Sequence, residues 1–185
     1  MMAARPISVE AYTASHRVLG RITPTASGLF SYLNIPTTSY LEIEGAHLMR
    51  LHQPGKLVAR YPHIWLVKSE LVCVLLSSRG EIGPTGFARR GYTTSVPHWV
   101  RVVMGGYELK GVVETPGKFD FGSLMFDSDR YFVPMYNAEL TAILFPNVRA
   151  ESPAILFNRR MVDGIALLPK DDIPNPGGNP PGASS

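Results

Sequence analysis

An all-β protein, built from two tandem, structurally similar small β-barrel or β-sandwich repeats packed with pseudo-two-fold symmetry, is what this sequence predicts. Three observations lead there. Short runs rich in branched and aromatic residues recur along the chain, each bounded by Gly, Pro, Asn or Ser. No window of about 12 residues carries a capped stripe of 3.6-residue period. The chain also matches itself, in order, when shifted by 91 or 92 residues.

The strand signals of the first half include Tyr40-Leu41-Glu42-Ile43 and Ile64-Trp65-Leu66-Val67. Those of the second are Val100-Arg101-Val102-Val103, Tyr131-Phe132-Val133 and Ile155-Leu156-Phe157. Tyr107, Leu109, Gly111 and Val113 alternate with Glu108, Lys110 and Val112, which is the period of two that a strand imposes on its side chains. Short helical turns fit only 28–34 and 121–126; in the first, Leu29, Tyr32 and Leu33 lie three to four apart. Sixteen prolines and 17 glycines suit many strands joined by tight turns better than long helices.

A shift of 92 lays Thr23-Pro24 on Thr115-Pro116, Ser31 on Ser123, Tyr40 on Phe132, Ala46 on Ala138, Leu48 on Leu140 and Pro54 on Pro146. A shift of 91 extends the match at both ends, with Val9 on Val100, Gly20 on Gly111, Pro62 on Pro153, Ile64 on Ile155, Val74 on Ile165 and Leu76 on Leu167. Glycine and proline are placed by backbone demand rather than by general hydrophobicity, so their coincidence carries more weight than that of the apolar residues. The copies span 7–76 and 98–167. A unit of about 70 residues is marginal alone because its surface is large for the area it buries, and a shared interface would relieve that. If Ala46 and Ala138 are equivalent, Leu48 and Leu140 are expected to be buried alike.

Between the copies, 77–97 is rich in Gly, Pro and Arg and reads as an exposed connector. After Leu168 the Pro/Gly-rich 168–185 cannot build a core and reads as a disordered tail.

Each copy also carries a short signature. The first shows Leu33-Asn34, Tyr40-Leu41, Ala46 and Val67-Lys68; the second has Met125-Phe126 in place of Leu-Asn, then Phe132-Val133, Ala138 and Asn158-Arg159. In these residues each half resembles a small all-β bacterial domain family of unknown function. The resemblance covers most of each copy and implies a fold without an activity.

The chemistry-bearing residues mainly exclude. No apolar run reaches the roughly 18 to 20 residues needed to span a bilayer, and Met1-Met2-Ala3-Ala4-Arg5-Pro6 lacks a signal peptide's apolar core, so the cytoplasm is expected. The lone Cys73, inside Leu71–Leu76, excludes an internal disulfide framework and a multi-thiolate metal site and reads as a small buried hydrophobe. His16, His47, His52, His63 and His98 are joined by no Gly-x-Ser-x-Gly elbow. Glu42 with Glu44 reads as a solvated strand face, and Asp127-Ser128-Asp129-Arg130 lacks the glycine and distal Glu of a calcium loop. Asp120-Phe121-Gly122-Ser123 does not supply the Asp-x-Ser-x-x-Gly motif of the cyclic-dinucleotide-binding PilZ family. No cofactor or metal is implied, and catalysis is not expected.

The remaining polar feature is the basic connector. Arg79, Phe87, Arg89, Arg90, Tyr92 and Trp99 combine cations with aromatic rings and form the candidate partner-binding set. A protein partner or a homo-oligomer is the leading expectation. The alternative is nucleic acid, bound through Arg79, Arg89 and Arg90; the net charge of +3, from 18 basic and 15 acidic residues, is too mild to announce it.

Overall fold

The computed structural model describes residues 5–24, 28–85, 95–127 and 129–174. In the first half β1 (Ile7–Tyr12) and β2 (His16–Ile22) precede α1 (Leu29–Leu33), followed by β3 (Tyr40–Arg50), β4 (Leu57–Val67) and β5 (Cys73–Leu76). In the second half β6 (Val96–Met104) and β7 (Tyr107–Thr115) precede α2 (Phe121–Phe126), then β8 (Phe132–Ala142), β9 (Arg149–Asn158) and β10 (Val162–Leu167). The fold is all-β, and α1 and α2 are the two helical turns the sequence allowed. All ten strands join one antiparallel sheet in the order β10-β6-β7-β8-β9-β5-β1-β2-β3-β4. The order β10-β6-β7-β8-β9 is that of β5-β1-β2-β3-β4, so each half lays its last strand beside its first.

The pairings correspond as well as the order. Val9 faces Leu76 and Val100 faces Leu167; Val9 also faces Gly20, and Val100 faces Gly111. Glu44 faces His63 as Tyr136 faces Ala154, and Ala46 faces Tyr61 as Ala138 faces Ser152. Even the irregularities match: β2 slips against β3 between Leu19 and Arg21, and β7 slips against β8 between Lys110 and Val112. Beside each slip stands a residue with positive φ, Gly45 at 58° and Asn137 at 47°. Glycine takes that conformation without cost, and asparagine is among the few other residues that adopt it. The bent strand lies directly on the glycine of its neighbour. A Cβ on Gly111 would stand 2.8 Å from Met135 Cγ and 2.9 Å from the Tyr136 carbonyl oxygen, and one on Gly20 would strike Ile43 and lie 2.8 Å from the Glu44 carbonyl oxygen.

Two cores form, and the seam between the halves divides them. Antiparallel pairing of β5 with β9 sets Cys73, Val74, Leu75 and Leu76 opposite Phe157, Leu156, Ile155 and Ala154. Because strand side chains alternate, Val74, Leu76, Ala154 and Leu156 enter the first core, while Cys73, Leu75, Ile155 and Phe157 enter the second. The first core therefore contains Val112, Phe132, Tyr136, Ala154 and Leu156 from the second half. Val112, which the alternation alone would have sent to the surface of its strand, is one of these buried contributions.

Part of the connector is anchored. Arg79–Ile82 forms a 3-10 turn that opens with a capping box: the Ser78 backbone N–H donates to Glu81 Oε2 at 3.0 Å and the Ser78 side chain receives the reciprocal bond. Ile82 is buried in the first core, so this stretch is not the open loop its composition suggests. Strand β6 starts at Val96, two residues before the predicted boundary at 98. At the other end the Leu168 N–H bonds the Trp99 carbonyl and Lys170–Asp172 makes another 3-10 turn, so order extends into the tail; 175–185 lies outside the described residues.

Leu48 and Leu140 hold corresponding places, facing Val18 and Leu109. Leu140 is buried, whereas Leu48 is only partly so. The hairpin beyond Leu140 returns Phe145 and Val148 to the second core, while the first hairpin has Gln53 before its proline and an exposed Leu57.

Candidate interaction surface

Strand β4 is the longest open feature of the sheet. Its 11 residues pair with β3 on one side, and among the described residues nothing pairs on the other. Ile64 and Leu66 lean on the first core, and alternation turns His63, Trp65 and Val67 to the opposite face. There they sit beside Glu44, Glu42 and Tyr40 of β3. Leu57, Val58, Tyr61, Trp65, Val67 and the neighbouring Tyr40 are all exposed large apolar side chains. His63 stacks on Trp65 with centroids 6.1 Å apart, and its Nδ1 lies 2.9 Å from Glu42 Oε1. Arg60 and Pro62 are the kind of residues that discourage edge pairing, yet they stand among these apolar groups rather than replacing them.

The other open edge is β10, paired only with β6 among the described residues. It exposes Leu167, and on the same half α2 exposes Phe121 and Phe126, whose rings meet edge to face at 6.0 Å. Asp120 caps α2 by accepting from the Gly122 N–H at 2.9 Å.

Of the six residues predicted to bind a partner, Phe87, Arg89, Arg90 and Tyr92 lie outside the described residues. Arg79 is engaged within the chain: its guanidinium lies 3.7 Å above the Tyr136 ring and pairs with Glu114, so it clamps the seam between the halves. Trp99 packs, half-buried, against the first core instead of standing as a free stacking platform. The sequence reading missed the edges. The available signal was Trp65, which falls 91 residues before Leu156: a large amphipathic ring where the second half has a plain aliphatic.

Chemical groups elsewhere are committed. His98 Nε2 lies 2.9 Å from both Thr115 Oγ1 and the Gly117 carbonyl oxygen. Cys73 is fully buried, and that burial pushes its thiol well above the ordinary range, which removes its nucleophilicity. A cleft of about 170 Å³ between the halves, with Leu33, Pro36, Val67, Tyr131 and Asn158 in its lining, offers two cations, Lys68 and Arg160. Both are engaged: Lys68 Nζ donates to the carbonyls of Tyr32 at 3.0 Å and Ile35 at 3.4 Å, with burial lowering its pKa, and Arg160 lies 3.8 Å above the Tyr131 ring and donates to its hydroxyl at 2.9 Å. Among the described residues no three His, Cys, Asp or Glu are grouped to hold a metal ion, and no helix is long and apolar enough to cross a membrane. Among protein-family models, curated proteins and solved structures, none matches the chain.

Proposed function

We propose that the protein is a non-catalytic assembly module, made of two copies of one five-stranded unit, that acts through protein–protein contacts within a homo-oligomer or a larger complex. The observation that carries this reading is the open β4 edge with Tyr40, Tyr61, Trp65 and Val67 exposed along it. An edge strand is a row of unpaired N–H and C=O groups, and natural sheets usually blunt such edges with charges, prolines or short length. This edge is 11 residues long and carries Trp65 and Tyr61, with Tyr40 exposed on β3 beside it, so Arg60 and Pro62 blunt it only in part. Aromatic side chains of this kind supply much of the energy of protein interfaces.

The test compares the wild-type chain with a Trp65→Lys/Val67→Lys variant. Both positions are exposed, so the variant should keep its circular dichroism spectrum and melting temperature. Light scattering and affinity capture from the source cells should show wild type bound to itself or to a partner, with that binding lost in the variant. A wild-type chain of single-chain mass whose captured proteins equal those of the variant would refute the reading.

A further inference from the structure

The intrachain seam is also a description of how two chains would meet. Within the chain, β9 pairs with β5 through Ala154–Phe157 opposite Leu76–Cys73. In the first half the place of β9 belongs to β4, and in the second half the place of β5 belongs to β10. Those two strands are the two ends of the sheet. We infer that a second copy of this chain lays its β10 along β4 of the first in the register of the β5–β9 seam, which sets Gly164, Ile165, Ala166 and Leu167 opposite Leu66, Trp65, Ile64 and His63. This rests on the assembly reading above and names the partner and the pairing.

Five features support a second copy as the occupant. The backbone permits it: Pro153 lies just outside the stretch of β9 that pairs with β5, and its counterpart Pro62 would lie just outside the corresponding stretch of β4. The faces also match at their large apolar positions, where Phe132 and Leu156 correspond to Tyr40 and Trp65. The outer side of β8 and β9 presents Phe132, Tyr136, Ala154 and Leu156, all buried in the first core. The corresponding side of β3 and β4 presents Tyr40, Glu44, His63 and Trp65, with Trp65 59% exposed where Leu156 is 0% exposed.

The other three features set contacts of the seam beside their counterparts at the open ends. Across the seam Asn34 Oδ1 accepts from the Phe132 N–H at 2.9 Å and Asn34 Nδ2 donates to the Phe132 carbonyl at 3.1 Å. Ninety-two residues on, Asn34 becomes Phe126, 72% exposed, while the position that Phe132 occupies is Tyr40 in the first half, 46% exposed. The bridging amide gives way to an aromatic ring at the β10 end, while the position it would meet at the β4 end stays aromatic, so each open end exposes one ring. Arg79 lies above Tyr136 across the same seam. Their counterparts are Lys170 and Glu44, so a cation on an aromatic ring is exchanged for two opposite charges, again one on each open end. Ile82, buried in the seam, has Ile173 as its counterpart, only half-buried beside β10.

A join between unlike edges is heterologous, and repeated it closes into a ring or continues as a filament. Each chain therefore keeps one donor edge and one acceptor edge, and mixing tests that directly. The wild type should be oligomeric by light scattering. Trp65→Lys/Val67→Lys blocks β4 and Phe126→Lys/Leu167→Lys blocks the β10 end; each variant alone should have single-chain mass while keeping its circular dichroism spectrum. A 1:1 mixture should give a dimer and nothing larger, because one intact β10 end meets one intact β4. Reversing the charges offers a second route that leaves the apolar edges untouched: Glu44→Lys and Lys170→Glu should each weaken association several-fold, and the double variant should recover it. A wild type of single-chain mass, a β10-blocked variant that still pairs with itself, or a mixture that stays monomeric would each overturn the inference. If the wild type is monomeric while Trp65→Lys/Val67→Lys loses a different captured protein, only this inference fails and the assembly reading survives.

Discussion

Trp65 and Leu156 occupy the same place in two strands of the same register, and their fates differ completely. Leu156 is sealed in the first core by β5, whereas Trp65 is 59% exposed because among the described residues no strand pairs with the outer edge of β4. The same contrast separates Val67 from Asn158, whose Nδ2 donates to the Leu71 carbonyl at 2.9 Å inside the seam. What distinguishes these positions is therefore their neighbour and not their strand. Burial in this sheet is a property of the joint: the halves share the one between β5 and β9, and each leaves its other end open, β4 in the first and β10 in the second.

Substitutions at corresponding positions can break this comparison, beginning with the largest expected effect. Leu156→Ala should cost about 2–5 kcal/mol, the range for a buried leucine that leaves a cavity, while Trp65→Ala should fall within about 0.5 kcal/mol of wild type in the monomer. Urea melts of both variants at low protein concentration measure the difference. Equal losses at the two sites would mean that β4 is covered within its own chain. The next test sharpens the comparison inside the cores. Leu140→Ala should cost about 2–5 kcal/mol and Leu48→Ala less, because Phe145 and Val148 close over only the former. A Leu48 loss equal to that of Leu140 would show that the first core is as tightly closed as the second.

The smallest effects belong to the bends. Gly45→Ala meets no atom within 4 Å, so its cost is conformational alone, about 1 kcal/mol for forcing alanine to φ 58°. Asn137→Gly should be nearly neutral or slightly stabilising, since glycine accepts φ 47° more readily than asparagine. Opposite signs at these two positions, read as shifts in melting temperature, are what a shared bend requires. A neutral Gly45→Ala would show that the two bends differ.

Much of the local structure was legible. The branched and aromatic runs are strands, the paired helical turns are α1 and α2, and Gly20, Gly111, Pro62 and Pro153 mark the bends that the shifted alignment brought together. Each of these depends on residues near one another in the chain. The connector was harder: Ile82 looked like one apolar residue in a polar loop, and only the juxtaposition of α1 and β9 beside it makes a pocket for it. Arg79 had the composition of a binding residue and the position of a clamp, because Tyr136 and Glu114, its partners, are distant in sequence.

The division has a physical cause. A strand's alternation is set by the geometry of its own backbone, and a turn by the φ of one or two residues, so the sequence alone determined the all-β class and the places of the two helical turns. Which strands become neighbours depends on pairings across tens of residues. An edge strand and an interior strand can carry the same alternation, as β4 and β9 do. Only the tertiary structure decided that β9 meets β5, that the two halves share one sheet, and that β4 and β10 remain at its ends, because only there does the far part of the chain supply or withhold the neighbour.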